Sequence, residues 1–260
     1  MKHFVLLLVV ICAACKNNKT TSEPYSEENL DITTSIYPDN ISNVFKAHGG
    51  IDNWNTFKGL TFEMELPEGK EVTTTDLKSR KSLIETDKFK IGYDGEKVWI
   101  KQDSTVYKGN PKFYYNLMFY FYAMPFVLGD NGINYEDVAP LEFEGKIYPG
   151  IKVSYESGVG ESPDDEYVLY YNNETYQMEW LGYTVTYFTK EKSKEFHFIK
   201  YSEWQTVNGF VLPETLTWYK TENNKPTEKR NDLKFTNILL SKEKPNPSIF
   251  EIPEDATIVE

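Results

Sequence analysis

The sequence predicts a mainly β protein, in which one antiparallel sheet of roughly ten or more strands curls or closes on itself. Short runs with alternating apolar residues or many β-branched residues recur along the chain from Gly59 onward. Turn dipeptides separate many of these runs, among them Asp94-Gly95, Asn172-Asn173 and Asn208-Gly209. No tandem repeat or long linker divides the series, so the strands are expected to form one domain.

Residues 1–14, MKHFVLLLVVICAA, are predicted to be a lipoprotein signal peptide. Lys2 provides the positive charge, and the apolar run from Phe4 to Ile11 is too short to span a bilayer. Small residues precede Cys15, the residue that follows the predicted cleavage site, and this cysteine is predicted to carry lipid and to anchor the chain to a membrane. A plain secretory signal with an incidental cysteine is the alternative interpretation.

Residues 15–37 are polar and lack apolar periodicity, so they are expected to form a flexible tether in front of a folded domain, 38–260. Lys16, rather than an aspartate, follows the cysteine. By resemblance to known sorting signals, this favours the outer membrane, with the domain facing the periplasm or the cell surface.

The chain of 260 residues has a formal net charge of −12. This charge disfavours nucleic acid and anionic lipid headgroups as electrostatic partners. Because Cys12 leaves with the signal peptide and Cys15 carries lipid, no thiol remains for a disulfide, a metal or catalysis. No cofactor is predicted.

The folded domain is predicted to begin with a helix at Pro38-Asp39-Asn40 that ends at His48-Gly49-Gly50. Asp52 is expected to cap a second short turn, and the first strand follows with Leu60, Phe62 and Met64 alternating with polar residues. The further predicted strands are EVTTTDL, KSLIETD, KFKIGY, KVWIKQ, STVYK, LEFE, IKVSYE, EYVLYY, TYQMEWL, TVTYF, EFHFIKYSEW, VLPETLTWYK and DLKFTNIL.

One substantial helix is predicted to interrupt the sheet. Phe113 to Phe126 contains eight aromatic residues in fourteen positions, with Pro111 at the first helical position and Pro125 and Gly129 at the end. Phe113 to Leu128 is only sixteen residues long and contains Asn116 and four tyrosines, which excludes a membrane span. Two alternatives stay open: a core helix packed on the sheet, or one wall of an apolar cavity. The predicted cavity lining is Phe113, Leu117, Phe121, Met124 and Trp99.

No set of catalytic residues is evident in the sequence. His48 is explained by a role at a helix end, and His197 lies between Phe196 and Phe198 on a predicted strand, where a structural role is expected. Asp164-Asp165-Glu166 follows a Ser-Pro pair typical of a solvated turn. No histidine or cysteine pair has the spacing of a zinc site. No catalytic residue and no metal ligand is therefore predicted.

Several short motifs occur in a characteristic order: a lipidation signal, a helix ending in HGG, Asp94-Gly95-Glu96-Lys97-Val98-Trp99, Asn208 to Pro213, and Pro245 to Ala256. In this order they resemble uncharacterised bacterial outer-membrane lipoproteins related to the LolA/LolB-like lipoprotein-carrier superfamily. The resemblance covers about residues 40 to 260. It implies an unclosed, strongly curved half-barrel whose concave apolar face is covered by helices and, in the characterised carriers, receives acyl chains.

Three hypotheses for the function follow. The first is a membrane-anchored, non-enzymatic protein that holds a lipid or another hydrophobic small molecule in the half-barrel. The second is a structural or protein-interaction module of the cell envelope, with a filled core and an envelope protein as partner. The third is an enzyme that acts on envelope lipids or glycans, with His48 or an acidic pair near the cavity mouth as candidate groups. The soluble carrier uses an arginine in its cavity, and the sequence does not identify which of the two arginines of this chain, Arg80 or Arg230, would take that role.

Overall fold

The structure, a computed structural model, describes residues 36–104, 106–155, 165–189 and 191–259. The chain divides into two units, Met1–Ile36 and Tyr37–Glu260. The predicted signal peptide, Cys15 and nearly all of the predicted tether lie outside the described residues. The second unit contains the sheet and the helices.

In the described part of the chain, thirteen strands form one antiparallel sheet, as the alternating runs predict. The strands, in chain order, are β1 Gly59–Leu66, β2 Gly69–Asp76, β3 Ser82–Glu85, β4 Phe89–Tyr93, β5 Val98–Gln102, β6 Ile133–Phe143, β7 Lys146–Tyr155, β8 Tyr167–Tyr171, β9 Met178–Tyr183, β10 His197–Val207, β11 Phe210–Glu222, β12 Lys225–Ser241 and β13 Thr257–Ile258.

The order across the sheet is β13-β5-β4-β3-β2-β1-β12-β11-β10-β9-β8-β7-β6. Two meanders, β1 to β5 and β6 to β12, therefore meet where β12 pairs with β1. The first part of β12 pairs with β11 and its last part with β1, as in the register Leu60 to Leu240. Within the described residues β13 and β6 are edges, so the sheet is not closed into a barrel.

The helices are short: α1 Asp39–Ala47, α2 Ile51–Trp54, α3 Pro111–Tyr114 and α4 Leu117–Tyr122, with 3-10 helices at Phe126–Gly129 and Pro247–Phe250. The start and end of α1 are as predicted. Asp52 does not cap α2, because Gly50 holds the capping position and Asp52 lies in the first turn.

The main hydrophobic core lies on one face of the sheet, here called the inner face. On β1, Leu60, Phe62 and Met64 are fully buried, because alternate residues of a strand point to the same side. Phe62 packs against Tyr122 of α4 and Phe235 of β12. The helices between β5 and β6 therefore cover the inner face.

Two predicted strands are not strands in the structure. In STVYK, the side-chain Oε1 of Gln102 accepts hydrogen bonds from the backbone N–H groups of Val106 and Tyr107, at 3.1 and 2.9 Å, in place of a neighbouring strand. In TVTYF, the Asp165 carboxylate accepts the backbone N–H of Thr186 at 2.7 Å, and a turn follows at residues 187–189. Side-chain acceptors satisfy these backbone groups, so β propensity alone gave the wrong assignment.

Candidate functional site

A cavity of about 1110 Å³ lies between the helical segment, residues 111–129, and the inner face of the sheet. The helical segment contributes Phe113, Leu117 and Phe121 to its lining. Strands β7 to β12 contribute a second wall, which includes Tyr155, Tyr167, Tyr183, Trp218 and Leu233.

The helical segment is not the continuous helix that the sequence predicts. Asn110 caps its start, because its Oδ1 accepts the backbone N–H groups of Lys112 and Phe113 at 2.9 and 3.2 Å, and Pro111 follows as predicted. The chain then leaves helical geometry around Asn116 and again before Phe126. These two breaks divide the segment into three short turns, Pro111–Tyr114, Leu117–Tyr122 and Phe126–Gly129.

Three of the five predicted cavity residues line the cavity. The ring of Phe113 lies 5.0 Å from those of Tyr187 and Phe188, next to solvent, because Phe188 is exposed. Phe121 lies deeper, 4.9 Å from the ring of Tyr183. Leu117 lies between them in the chain and also borders the cavity.

Met124 and Trp99 do not line this cavity. Met124 is buried in the main core. Trp99 points to the opposite face of the sheet, because its neighbours Val98 and Ile100 point to the helical side and successive residues of a strand alternate. Its indole N–H donates to the carbonyl of Phe250 at 3.2 Å, and its ring covers Gly92, where a Cβ would lie 2.2 Å away.

The deep end of the helical wall is held in place by hydrogen bonds from the sheet. The hydroxyl of Tyr201, on β10, donates to the backbone carbonyl of Phe121 at 2.8 Å. The indole N–H of Trp218 donates to the hydroxyl of Tyr183 at 3.2 Å, and both rings contact Phe121. The first bond is buried and ties the backbone of Phe121 to the sheet, and the second joins two rings of the opposite wall that pack against Phe121.

An ion pair that the sequence did not indicate stands at the cavity. Arg80 Nη2 donates to the Asp130 carboxylate at 2.6 Å, and the guanidinium lies 5.2 Å from the centre of the Phe119 ring. Arg80 and Asp130 are fifty residues apart in the chain. Pairing of such distant residues has no local signature, so no sequence pattern could have revealed it.

Asp165 corrects another prediction. The sequence assigns Asp164-Asp165-Glu166 to a solvated turn, but Asp165 is buried and lines the cavity. Asp164 lies outside the described residues. The cause is the backbone of Thr186, whose N–H donates to Asp165 and holds it inside.

A buried carboxyl at Glu71, on β2, was also missed. Glu71 lies on the same side of β2 as Thr73 and Thr75, and all three are buried. The hydroxyl of Tyr114 donates to Oε1 of Glu71 at 2.9 Å. Burial raises the pKa of Glu71 to about 7, and the bond from Tyr114 opposes this rise. No local pattern marks Glu71 as buried, because the buried positions of this strand are polar and the apolar Val72 lies on the other side.

The two histidines that follow Cys15 occupy different environments. His48 is fully buried; its Nδ1 lies 2.8 Å from the Val211 carbonyl, and its Nε2 accepts the backbone N–H of Met178 at 3.0 Å. Nδ1 therefore carries the proton, and burial lowers the pKa of His48 to about 4. His197 is exposed and stands at the cavity rim beside Tyr183. His48 thus ties the end of α1 to β9 and β11.

The described residues contain no group of three or more His, Cys, Asp or Glu side chains placed to hold a metal ion. Among the helices of the described residues, none is long and apolar enough to cross a membrane.

The fold and cavity together define a mainly β protein with one open antiparallel sheet and a cavity under a helical segment. The chain belongs to the family of unknown function DUF6503, which matches residues 71–242. No curated protein sequence matches the chain.

Several solved structures are similar to it. A LolA superfamily protein from Nitrosomonas europaea is 9% identical, with 75% of this chain and 88% of that chain covered and a TM-score of 0.45. A putative outer membrane lipoprotein-sorting protein domain from Vibrio parahaemolyticus is 8% identical, with coverages of 74% and 88% and a TM-score of 0.39. A DUF1329 family protein from Desulfovibrio piger is 11% identical, with coverages of 77% and 93% and a TM-score of 0.45.

Proposed function

We propose that this chain holds a lipid or another hydrophobic small molecule in the cavity, without catalysis, as a protein anchored to the outer membrane through a lipid on Cys15. The main support is the unfilled cavity of about 1110 Å³ between the helical segment and the sheet. This volume is slightly above the usual range of about 300–1,000 Å³ for small-molecule sites, and such sites are mostly apolar.

The apolar lining accounts for affinity without a charged contact. Phe113, Leu117, Phe121 and Trp218 offer aromatic and aliphatic surface to a guest. Each methylene group moved from water to such surface contributes about 0.8 kcal/mol. About ten buried methylenes would therefore contribute about 8 kcal/mol, which corresponds to a dissociation constant near 1 μM before ordering costs.

The test uses the full chain with Cys15→Ser, which removes the proposed lipid anchor and allows purification without detergent. Organic extraction and mass spectrometry should find a co-purifying lipid at a fixed ratio to protein. The neutral fluorescent probe N-phenyl-1-naphthylamine should bind and be displaced by that lipid. Absence of both the lipid and probe binding would refute the proposal.

A pair of matched variants locates the ligand. Leu117→Trp adds volume on the cavity wall and should weaken probe binding, whereas Leu239→Trp adds the same side chain at an exposed position on β12 and should not. Equal effects of the two substitutions would place the probe elsewhere.

The anchor has its own test. Cells supplied with an alkyne-labelled fatty acid should incorporate the label into the wild-type chain and not into Cys15→Ser. Membrane fractionation should then find only the wild-type chain in the outer membrane. Label on the Cys15→Ser chain would contradict lipidation at this residue.

Two other hypotheses predict different results. An envelope interaction module with a filled core predicts no co-purifying lipid and no probe binding, and the cavity argues against it. An enzyme that acts on envelope lipids or glycans would need a catalytic group at the cavity. The candidate His48 is buried and does not line the cavity, so His197, the one histidine among the described cavity residues, becomes the histidine to test. In that case His197→Gln would abolish turnover of membrane lipid or glycan while probe binding stays intact.

A further inference from the structure

One end of the cavity is lined by three tyrosines from different elements: Tyr120 of α4, Tyr155 of β7 and Tyr167 of β8. The rings of Tyr155 and Tyr167 are 5.9 Å apart and almost perpendicular. Burial, together with neighbouring acidic groups, raises the pKa of all three phenols. The hydroxyls therefore stay protonated at neutral pH, and each can donate and accept a hydrogen bond.

These three hydroxyls have no hydrogen-bond partner among the described residues. Other cavity tyrosines differ: Tyr114 donates to Glu71 at 2.9 Å, and Tyr183 accepts from Trp218 at 3.2 Å. Polar groups in a largely buried site are normally paired. The hydroxyls of Tyr120, Tyr155 and Tyr167 are thus available to a ligand.

The charges near this end disfavour an anionic ligand. The carboxylates of Asp130 and Asp165 lie close enough to Tyr155 to raise its pKa. The charge of Arg80, the cation at this end, is already balanced by Asp130, which pairs with its Nη2 at 2.6 Å. Its Nη1 is buried without a hydrogen-bond partner among the described residues and can donate to a neutral oxygen as well. A buried carboxylate or phosphate without a cationic partner costs far more than a neutral group that is hydrogen-bonded.

The other cations that line the cavity, Lys112 and Arg230, are exposed at its rim. A headgroup bound there would stay in water and gain little from the charge. The cavity therefore has an apolar wall and, at one end, uncharged hydroxyl groups that can form hydrogen bonds.

From this arrangement we propose that the ligand is a neutral lipid whose uncharged hydroxyl or ester group is bound by Tyr120, Tyr155 and Tyr167 while its acyl chain contacts Leu117 and Phe121. This inference rests on the proposed function and narrows it from any hydrophobic molecule to one with a neutral polar head.

The experiment compares two ligands with the same twelve-carbon chain, monolauroylglycerol and dodecanoate, as displacers of N-phenyl-1-naphthylamine from the detergent-free Cys15→Ser chain at pH 7.5. Monolauroylglycerol should displace the probe at a concentration roughly tenfold lower than dodecanoate. In the Tyr155→Phe/Tyr167→Phe variant this tenfold preference should disappear, because each lost hydroxyl removes about one ordinary hydrogen bond to the neutral head.

Tyr176→Phe is the matched control, since Tyr176 stacks on Tyr171 outside the cavity lining and should leave the preference unchanged. Retained binding of the probe shows that each variant is folded. Probe binding with equal or stronger displacement by dodecanoate would overturn this inference and leave the proposed function standing. A preference unchanged in the double variant would also overturn it. No probe binding to any variant would refute the proposed function itself.

Discussion

Replacing His48 by glutamine, and separately Glu71 by glutamine, should change the pH dependence of stability in opposite directions. Both groups are buried, and burial shifts their pKa values in opposite directions. The pKa of His48 falls from 6.5 to about 4, and that of Glu71 rises from 4.5 to about 7. Each change corresponds to about 3 kcal/mol of free energy of unfolding over its full titration.

For His48, the unfolded chain binds a proton at a pH where the folded chain does not. The free energy of unfolding should therefore decrease as pH falls from about 6.5 to about 4. The structural reason is Nε2, because a second proton there would remove the hydrogen bond from the Met178 N–H. The rings of Phe126 and Trp204 that contact the imidazole carry no charge to stabilise the protonated form.

For Glu71 the sign is opposite, because the folded chain binds the proton first. The contribution of Glu71 to the free energy of unfolding is present at low pH and is lost as pH rises from about 4.5 to about 7. The carboxyl faces Tyr114 and Tyr107, whose phenols carry no positive charge that could stabilise the ionised form.

The assay is urea unfolding followed by tryptophan fluorescence at half-unit steps from pH 5 to pH 6.5. The contributions of His48 and Glu71 should largely cancel in the wild type. With His48→Gln the free energy of unfolding should decrease by about 2 kcal/mol as pH rises across this window, and with Glu71→Gln it should increase by about 2 kcal/mol.

The double variant is the control, and its curve should again be nearly flat. Loss of the hydrogen bonds of His48 lowers the whole curve of His48→Gln without changing its slope, so a less stable variant still reports the titration. A slope in either single variant equal to that of the wild type would refute the pKa argument for that residue.

Three further predictions concern packing and hydrogen bonds, each measured by urea unfolding. Gly92→Ala should lower the free energy of unfolding by about 2 kcal/mol, because the added methyl group overpacks against Trp99. In a Trp99→Ala background the loss should be much smaller, and additive losses would contradict the contact. Asn110→Ala should cost about 1 kcal/mol through loss of the helix cap, with serine restoring most of it, and no loss would exclude the cap. Tyr201→Phe should lower the free energy of unfolding by about 1–2 kcal/mol, because the carbonyl of Phe121 loses its buried donor. It should also weaken probe binding. Stability equal to that of the wild type would argue against this hydrogen bond.

The part of the fold that local physics controls was predictable from sequence. The alternation of Leu60, Phe62 and Met64 specifies a half-buried strand, and Asp94-Gly95 specifies a tight turn, because both depend on residues within one turn or strand. The antiparallel meander follows, since short connections join neighbouring strands.

The tertiary structure alone decided which face each strand presents and what meets across the sheet. Trp99 was expected in the cavity and lies on the other face, because the phase of β5 depends on the 3-10 helix around Phe250, which is 151 residues away. The pairing of Arg80 with Asp130, the burial of Glu71 and the meeting of Tyr155 with Tyr167 likewise depend on strand order and register. Sequence periodicity reports which residues share a face; only packing of distant elements determines what that face encloses.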